Sequence, residues 1–156
     1  MTRKIFFRLL SFIFVLSFLL GGCSTSTSPN IPATPLQNAS YWNDILANAN
    51  NVMANTIISL NEHQFISTQA AGAILRINYN VATDQEAVTS VINSTQSLTA
   101  VNIAQIKVYL TNLEQQCNTL IADGTAGISD PASKQKYLVD VSTVSNIVQA
   151  FLSSLS

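Results

Sequence analysis

An all-α, up-down-up-down four-helix bundle is the fold the sequence predicts, and three observations predict it. From residue 39 to residue 156, apolar side chains recur at steps of three and four in four separate runs. The breaks between runs are short and polar, which favours antiparallel neighbours. No stretch keeps the period-two alternation that a half-buried strand shows.

The first run carries Trp42, Ile45, Leu46, Ala49, Val52, Met53, Ile57 and Leu60. It predicts a helix over about 40–61 with Asn38 or Ser40 as its cap. The break "NEHQFIS" reads as a loop in which Ser67 caps the next helix; a tighter turn with Asn61 as cap and Gln64 at the third position is the alternative. The second run has Ala70, Ala73, Ile77, Val81, Val88 and Ile92, widened by Leu75 and Tyr79, and should stop near "NSTQS" at 93–97. The third is the most regular: Ile103, Ile106, Leu110, Leu113, Cys117 and Leu120 alternate their steps like an a/d seam. It ends at Asp123-Gly124, where glycine is expected to take the left-handed closing conformation. Asp130-Pro131 then reads as cap and first helical residue, followed by Leu138, Val141, Val144, Val148, Phe151 and Leu155.

These four helices fall within residues 39–156, a length that suits one domain with one core. Before them, residues 23–38 begin with Cys23 and are rich in Ser, Thr and Pro, with Pro29, Pro32 and Pro35. Such a composition buries little and is expected to act as a disordered tether. Residues 1–22 have a different character. Arg3, Lys4 and Arg8 precede an apolar stretch, Leu9 to Leu20, which closes on Gly21 and Gly22. This is the three-part pattern of an export signal. The apolar stretch falls short of the roughly 20 residues that span a bilayer core.

Leu20-Gly21-Gly22-Cys23 resembles the lipobox of bacterial lipoproteins, in which a Leu, two small residues and a Cys close the signal peptide. The resemblance covers residues 1–23 and implies cleavage between Gly22 and Cys23. It also implies lipidation of the Cys23 thiol and, commonly, acylation of the new amino terminus with a palmitate-type chain. One acyl chain holds a membrane only marginally, whereas two or three hold it stably. Ser24 resembles the outer-membrane sorting type if the host is Gram-negative. The implied localisation is a lipid-anchored domain facing the periplasm or the cell surface.

Removing the signal also changes the charge balance. Arg76, Lys107, Lys134 and Lys136 are then set against all eight acids, a net charge of −4. That balance offers no basic patch, so nucleic acid is not an expected partner.

The residues that carry chemistry are few. Cys117 lies on the third helix's apolar seam and reads as a buried, inert thiol. His63 is the sole histidine and reads as a solvated loop residue. Asp84 and Glu86, two apart, point about 200° away from each other on a helix and cannot work as a pair. Asp84, Glu114 and Asp140 fall on three different helices; they read as surface charges with Arg76, Lys107 and Lys134 as partners. No metal-ligand spacing, phosphate loop, nucleophile elbow or haem-attachment sequence occurs. No catalytic, cofactor or metal residues are therefore assigned, and an enzyme is not expected.

The expected function is an interaction or structural module of the cell envelope, held to the membrane through Cys23 and docking an envelope protein. One alternative is a helical carrier holding a small apolar ligand between its helices, with Trp42, Tyr79, Tyr109, Tyr137 and Phe151 lining the cavity or simply filling the core. Another, by analogy in size and organisation, is a prophage-type exclusion or immunity lipoprotein. The anchor is directly testable. In cells supplied with a labelled fatty acid, the wild type takes up label and Cys23→Ala does not, and the mature wild type contains no residue before Cys23. Label on the alanine variant would refute the lipobox assignment.

Overall fold

The computed structural model describes residues 34–125 and 127–156. Gly22, Cys23 and the tether up to residue 33 lie outside the described residues. Four α-helices follow one another: α1 (Pro35–Glu62), α2 (Thr68–Asn93), α3 (Ala100–Asp123) and α4 (Pro131–Ser154). α1 packs on α2, α2 on α3, α3 on α4 and α4 back on α1, while the backbones of the diagonal pairs stay further apart. Connections as short as these reverse the chain each time, so the bundle runs up-down-up-down as the sequence predicts. No strand forms among the described residues. A single antiparallel bridge between Ile66 and Ile128 joins the α1–α2 and α3–α4 loops at one end.

Each helix starts on a side-chain cap. Thr34 caps α1 in a full capping box: its hydroxyl accepts from Gln37 N–H at 3.2 Å, and Gln37 Oε1 accepts from Thr34 N–H at 2.9 Å. Pro35 occupies the first turn, where its missing N–H costs nothing. The helix therefore begins about five residues earlier than expected, and residues 35–38 belong to α1 rather than to the tether. The expectation took Pro35 as the last of a proline series, whereas "TPLQ" is a helix start. Ser67 caps α2 as the loop reading of 61–67 requires. Thr99 and Asn102 form a second capping box on α3. Asp130 accepts from Ser133 N–H at 2.7 Å at the start of α4.

The α3 seam is as the spacing predicts from Ile106 onward: Ile106, Leu110, Leu113, Cys117 and Leu120 have no accessible surface, while Ile103 is only partly buried against the core. Burying each large aliphatic contributes of order 1.5–3 kcal/mol. On α4, Tyr137 rather than Leu138 faces inward, followed by Val141, Val144, Val148, Phe151 and Leu155. The other two helices depart further from the apolar pattern. The buried face of α1 runs through Ala39, Asn43, Leu46, Asn50, Met53, Ile57 and Leu60, stepping by four and three, with Thr56 buried beside it and Val52 exposed. The buried face of α2 is Ala71, Ile74, Asn78, Val81, Val88 and Ile92. Its first half is shifted one residue from the expected Ala70, Ala73 and Ile77, because Asn78 takes a core position that the apolar pattern had passed over.

The asparagines are tolerated because they meet. Asn78 Nδ2 donates to Asn50 Oδ1 at 2.7 Å in the buried α1–α2 seam. Further along the same seam, Asn43 Nδ2 and Gln85 Nε2 both donate to Thr89 Oγ1 at 2.9 Å, and Gln85 Nε2 also reaches Asn43 Oδ1 at 3.3 Å.

Gly124, which closes α3, does not take the expected left-handed conformation; its φ is −68°. Packing explains the glycine instead. A Cβ there would collide with the Tyr137 hydroxyl and lie 2.6 Å from the Leu120 carbonyl oxygen. The same hydroxyl donates to Leu120 O at 3.1 Å, so α4 is docked on the end of α3 through the space that glycine leaves.

Asn50→Leu and Asn78→Leu should each lower the unfolding free energy of the full chain by about 1–3 kcal/mol, because each strands its partner's amide in the seam. The double replacement removes both amides and should cost clearly less than the sum of the single losses. Urea denaturation followed by circular dichroism gives the comparison. Strictly additive losses would mean that the two side chains are not coupled.

Candidate functional site

A cleft of about 450 Å³ lies where α1 ends and α4 begins. Its shape originates in how α1 stops. Phe65 N–H bonds to Leu60 O at 2.9 Å and Gln64 N–H to Asn61 O at 3.1 Å, the paired bonds of a Schellman ending. Such an ending needs one residue in the left-handed region, and Gln64 takes it at φ 59°. Glycine would adopt that conformation more cheaply; a residue with a Cβ costs about 1–2 kcal/mol more. The turn brings His63 and Phe65 together on one side, their rings stacked at 6.0 Å and 12°. His63 Nδ1 donates to Ser59 O at 2.8 Å and lies 3.4 Å from Ser59 Oγ, which ties the ring to α1. The loop is held in place by Ser129, whose N–H and hydroxyl both donate to Phe65 O, at 3.0 and 3.1 Å.

α4 supplies the other wall. Lys136 Nζ donates to Thr56 Oγ1 and to Asp140 Oδ2, both at 2.8 Å, and Thr56 Oγ1 donates to the same Asp140 oxygen at 2.6 Å. This closed triangle ties α1 to α4, and its Lys136–Asp140 pair is the one ion pair among the described residues. The cleft is thus divided by chemistry. Val52, Leu60 and Phe65 give it an apolar wall, and Ser133, His63 and Lys136 give it a polar rim.

The carboxylates singled out in the sequence do not converge. Asp84 accepts from Gln116 Nε2 at 2.8 Å between α2 and α3. Glu114 accepts from Gln149 Nε2 at 3.0 Å between α3 and α4. Asp140 belongs to the triangle between α4 and α1. Their partners are therefore two glutamines and Lys136 rather than the expected Arg76, Lys107 and Lys134. No group of three or more His, Cys, Asp or Glu side chains is arranged to hold a metal ion among the described residues.

The aromatic residues do not share a cavity either. Tyr137 and Phe151 are buried core filling, Trp42 and Tyr109 pack on the core from its margin, and Tyr79 is 71% exposed. None of the five lines the α1–α4 cleft. Sequence reasoning missed this site because its polar members come from the end of one helix and the start of another, 80 residues apart. The one local signal was His63 beside Phe65 in a loop.

Cys117 is a buried free thiol, as its place on the seam predicts. Burial, with the nearby Glu114 charge adding to it, pushes its pKa up to about 11. The same desolvation, with Cys117 second, raises the Tyr137 hydroxyl. No helix among the described residues is long and apolar enough to cross a membrane. No protein-family model matches the chain, and neither a curated protein nor a solved structure matches it.

A raised pKa ties stability to pH in a definite direction. In the unfolded chain the thiol ionises around 9.0, whereas the folded one holds its proton to about 11. Stability is therefore fully present below pH 9 and is lost as pH rises towards and through 11. Between about pH 8 and about pH 10.5 the wild type should lose about 2 kcal/mol more than Cys117→Ala does over the same interval. Urea titrations at the two pH values measure this. Equal losses would show that the thiol ionises as freely in the fold as outside it.

Proposed function

We propose that the protein is a membrane-anchored lipoprotein whose bundle serves as a docking module of the bacterial cell envelope. The observation that carries this reading is the polarity of the domain. The chain enters at Thr34, and in an up-down-up-down bundle the end of α4 lies beside that entry. The His63–Phe65 turn, the Ile66–Ile128 bridge and the cleft all lie at the opposite end. Along the chain Cys23 lies 11 residues before that entry, so an anchor there joins the domain at the first end.

Dimensions support the same arrangement. Residues 24–34 reach at most about 40 Å when fully extended. α1, with 28 residues, adds about 42 Å along its axis. The far end would therefore sample a layer a few tens of ångströms deep, within which even a weak docking face gains from a raised effective concentration. Binding rather than catalysis is the proposed role, because no carboxylate orients the histidine at the cleft among the described residues. His63 Nδ1 donates to Ser59 O, with Ser59 Oγ 3.4 Å away, and Asp140 bonds Lys136 and Thr56 instead.

A photoreactive amino acid placed at Phe65 should crosslink a membrane or envelope protein in cells, and Cys23→Ala should reduce that yield several-fold. A yield unaffected by Cys23→Ala would remove the role of the anchor. Turnover of a substrate by the purified chain, lost on changing His63, would replace docking with catalysis.

A further inference from the structure

We propose that the α1–α4 cleft is a binding site for an apolar carboxylate: a carboxylate group carried on an aliphatic or aromatic moiety about the size of a Leu or Phe side chain. The proposal rests on the reading above that this end of the bundle faces partners, and it names the chemistry the end accepts. Three observations support it.

The first is the charge of the lining. All eight acidic residues of the chain fall within the described domain, yet none lines the cleft, whereas Lys136 and the sole histidine do. The acids closest by connectivity are already engaged or turned elsewhere. Asp140 is half-buried behind Lys136 with Oδ2 bonded to Lys136 and Thr56. Asp130 spends Oδ2 on the Ser133 N–H. Glu62 and Lys134 are exposed and lie outside the lining.

The second is the number of donors left over. Lysine has three N–H groups; Thr56 and Asp140 take two, and the side chain is 60% exposed. The third is available to an acceptor entering the cleft. Ser133 and Asn55, each with a side-chain donor, belong to the same lining. A carboxylate accepts up to four hydrogen bonds and suits such a set; an ammonium group would face Lys136 with like charge.

The third is the apolar wall and its size. Val52 is 53% exposed and Phe65 39% exposed, beside buried Leu60. A volume of about 450 Å³ lies within the range of small-ligand sites.

Two sources supply this chemistry: a free aliphatic or aromatic acid, and the carboxyl terminus of a partner chain ending on an apolar residue. The test uses the full chain in lipid nanodiscs with labelled Val and Leu methyl groups, and empty nanodiscs as the blank. Phenylpropionate should shift the Val52 and Leu60 methyl resonances saturably, and phenylpropanol should bind at least about tenfold more weakly, the order expected for losing a charge-assisted hydrogen bond. Lys136→Met should abolish that discrimination, Lys136→Arg should retain it, and Phe65→Ser should weaken both ligands. A short peptide ending in Leu, compared with its amide, separates the sources: tighter binding of the free-carboxyl peptide than of phenylpropionate indicates a partner's terminus, and the reverse a free acid. Equal binding of acid and alcohol by the wild type overturns the proposal, whether or not the Lys136 variants fold, and so does discrimination that survives Lys136→Met. If no carboxylate binds while Phe65 still crosslinks an envelope protein, only the ligand assignment falls; if the acid binds and nothing crosslinks, only the docking role falls.

Discussion

The hydrogen bond between Asn50 and Asn78 sets the terms for the rest of the bundle. A buried amide without a partner costs on the order of 1–3 kcal/mol, so two helices that each carry an asparagine in the seam have one favourable register. In that register Asn43 meets Thr89 and Gln85 two turns away, and the α1–α2 pair is fixed along its length. An all-apolar seam could slide by a heptad at lower cost. The polar one trades some stability for a single alignment.

Each of the other contacts around the ring carries polar ties of its own: Asp84–Gln116 between α2 and α3, Glu114–Gln149 and Tyr137–Leu120 between α3 and α4, and Thr56–Lys136–Asp140 between α4 and α1. Only the last includes an ion pair. A chain with few charges has to specify its packing with amides and hydroxyls, which need short, directed contacts. Among the buried side-chain atoms of the described residues one escapes: Gln116 Oε1 has no partner, although its Nε2 is engaged with Asp84. Apolar packing remains the larger stabilising term, and the amides select among the arrangements it would allow.

The alignment also places the cleft. With α1 locked to α2 and α4 docked through Tyr137 on the last turn of α3, the two ends that form the cleft walls are held on separate supports. The Ser129–Phe65 bonds and the Ile66–Ile128 bridge then connect the loops directly. The cleft walls are therefore preorganised by contacts between the helix ends and the loops rather than carried on a free loop.

Much of the fold was legible in the sequence. Apolar steps of three and four placed all four helices, Ser67 and Asp130-Pro131 marked two starts correctly, and the α3 seam was read residue by residue, because local hydrogen bonding and periodic burial are written in neighbouring positions. The lipobox-type segment is likewise a property of sequence alone, and the fold neither adds to it nor subtracts from it. Other features depended on contacts between distant residues. Asn43, Asn50 and Asn78 look like surface residues until their partners across the seam are known, which is why the α2 stripe was read one residue out of phase in its first half. Gly124 signalled a left-handed cap in isolation, but its small size serves Tyr137. The cleft could not be read at all: His63 and Phe65 acquire a polar neighbour only when α4 brings Lys136 across to Thr56, a meeting that chain connectivity does not encode and helix packing decides.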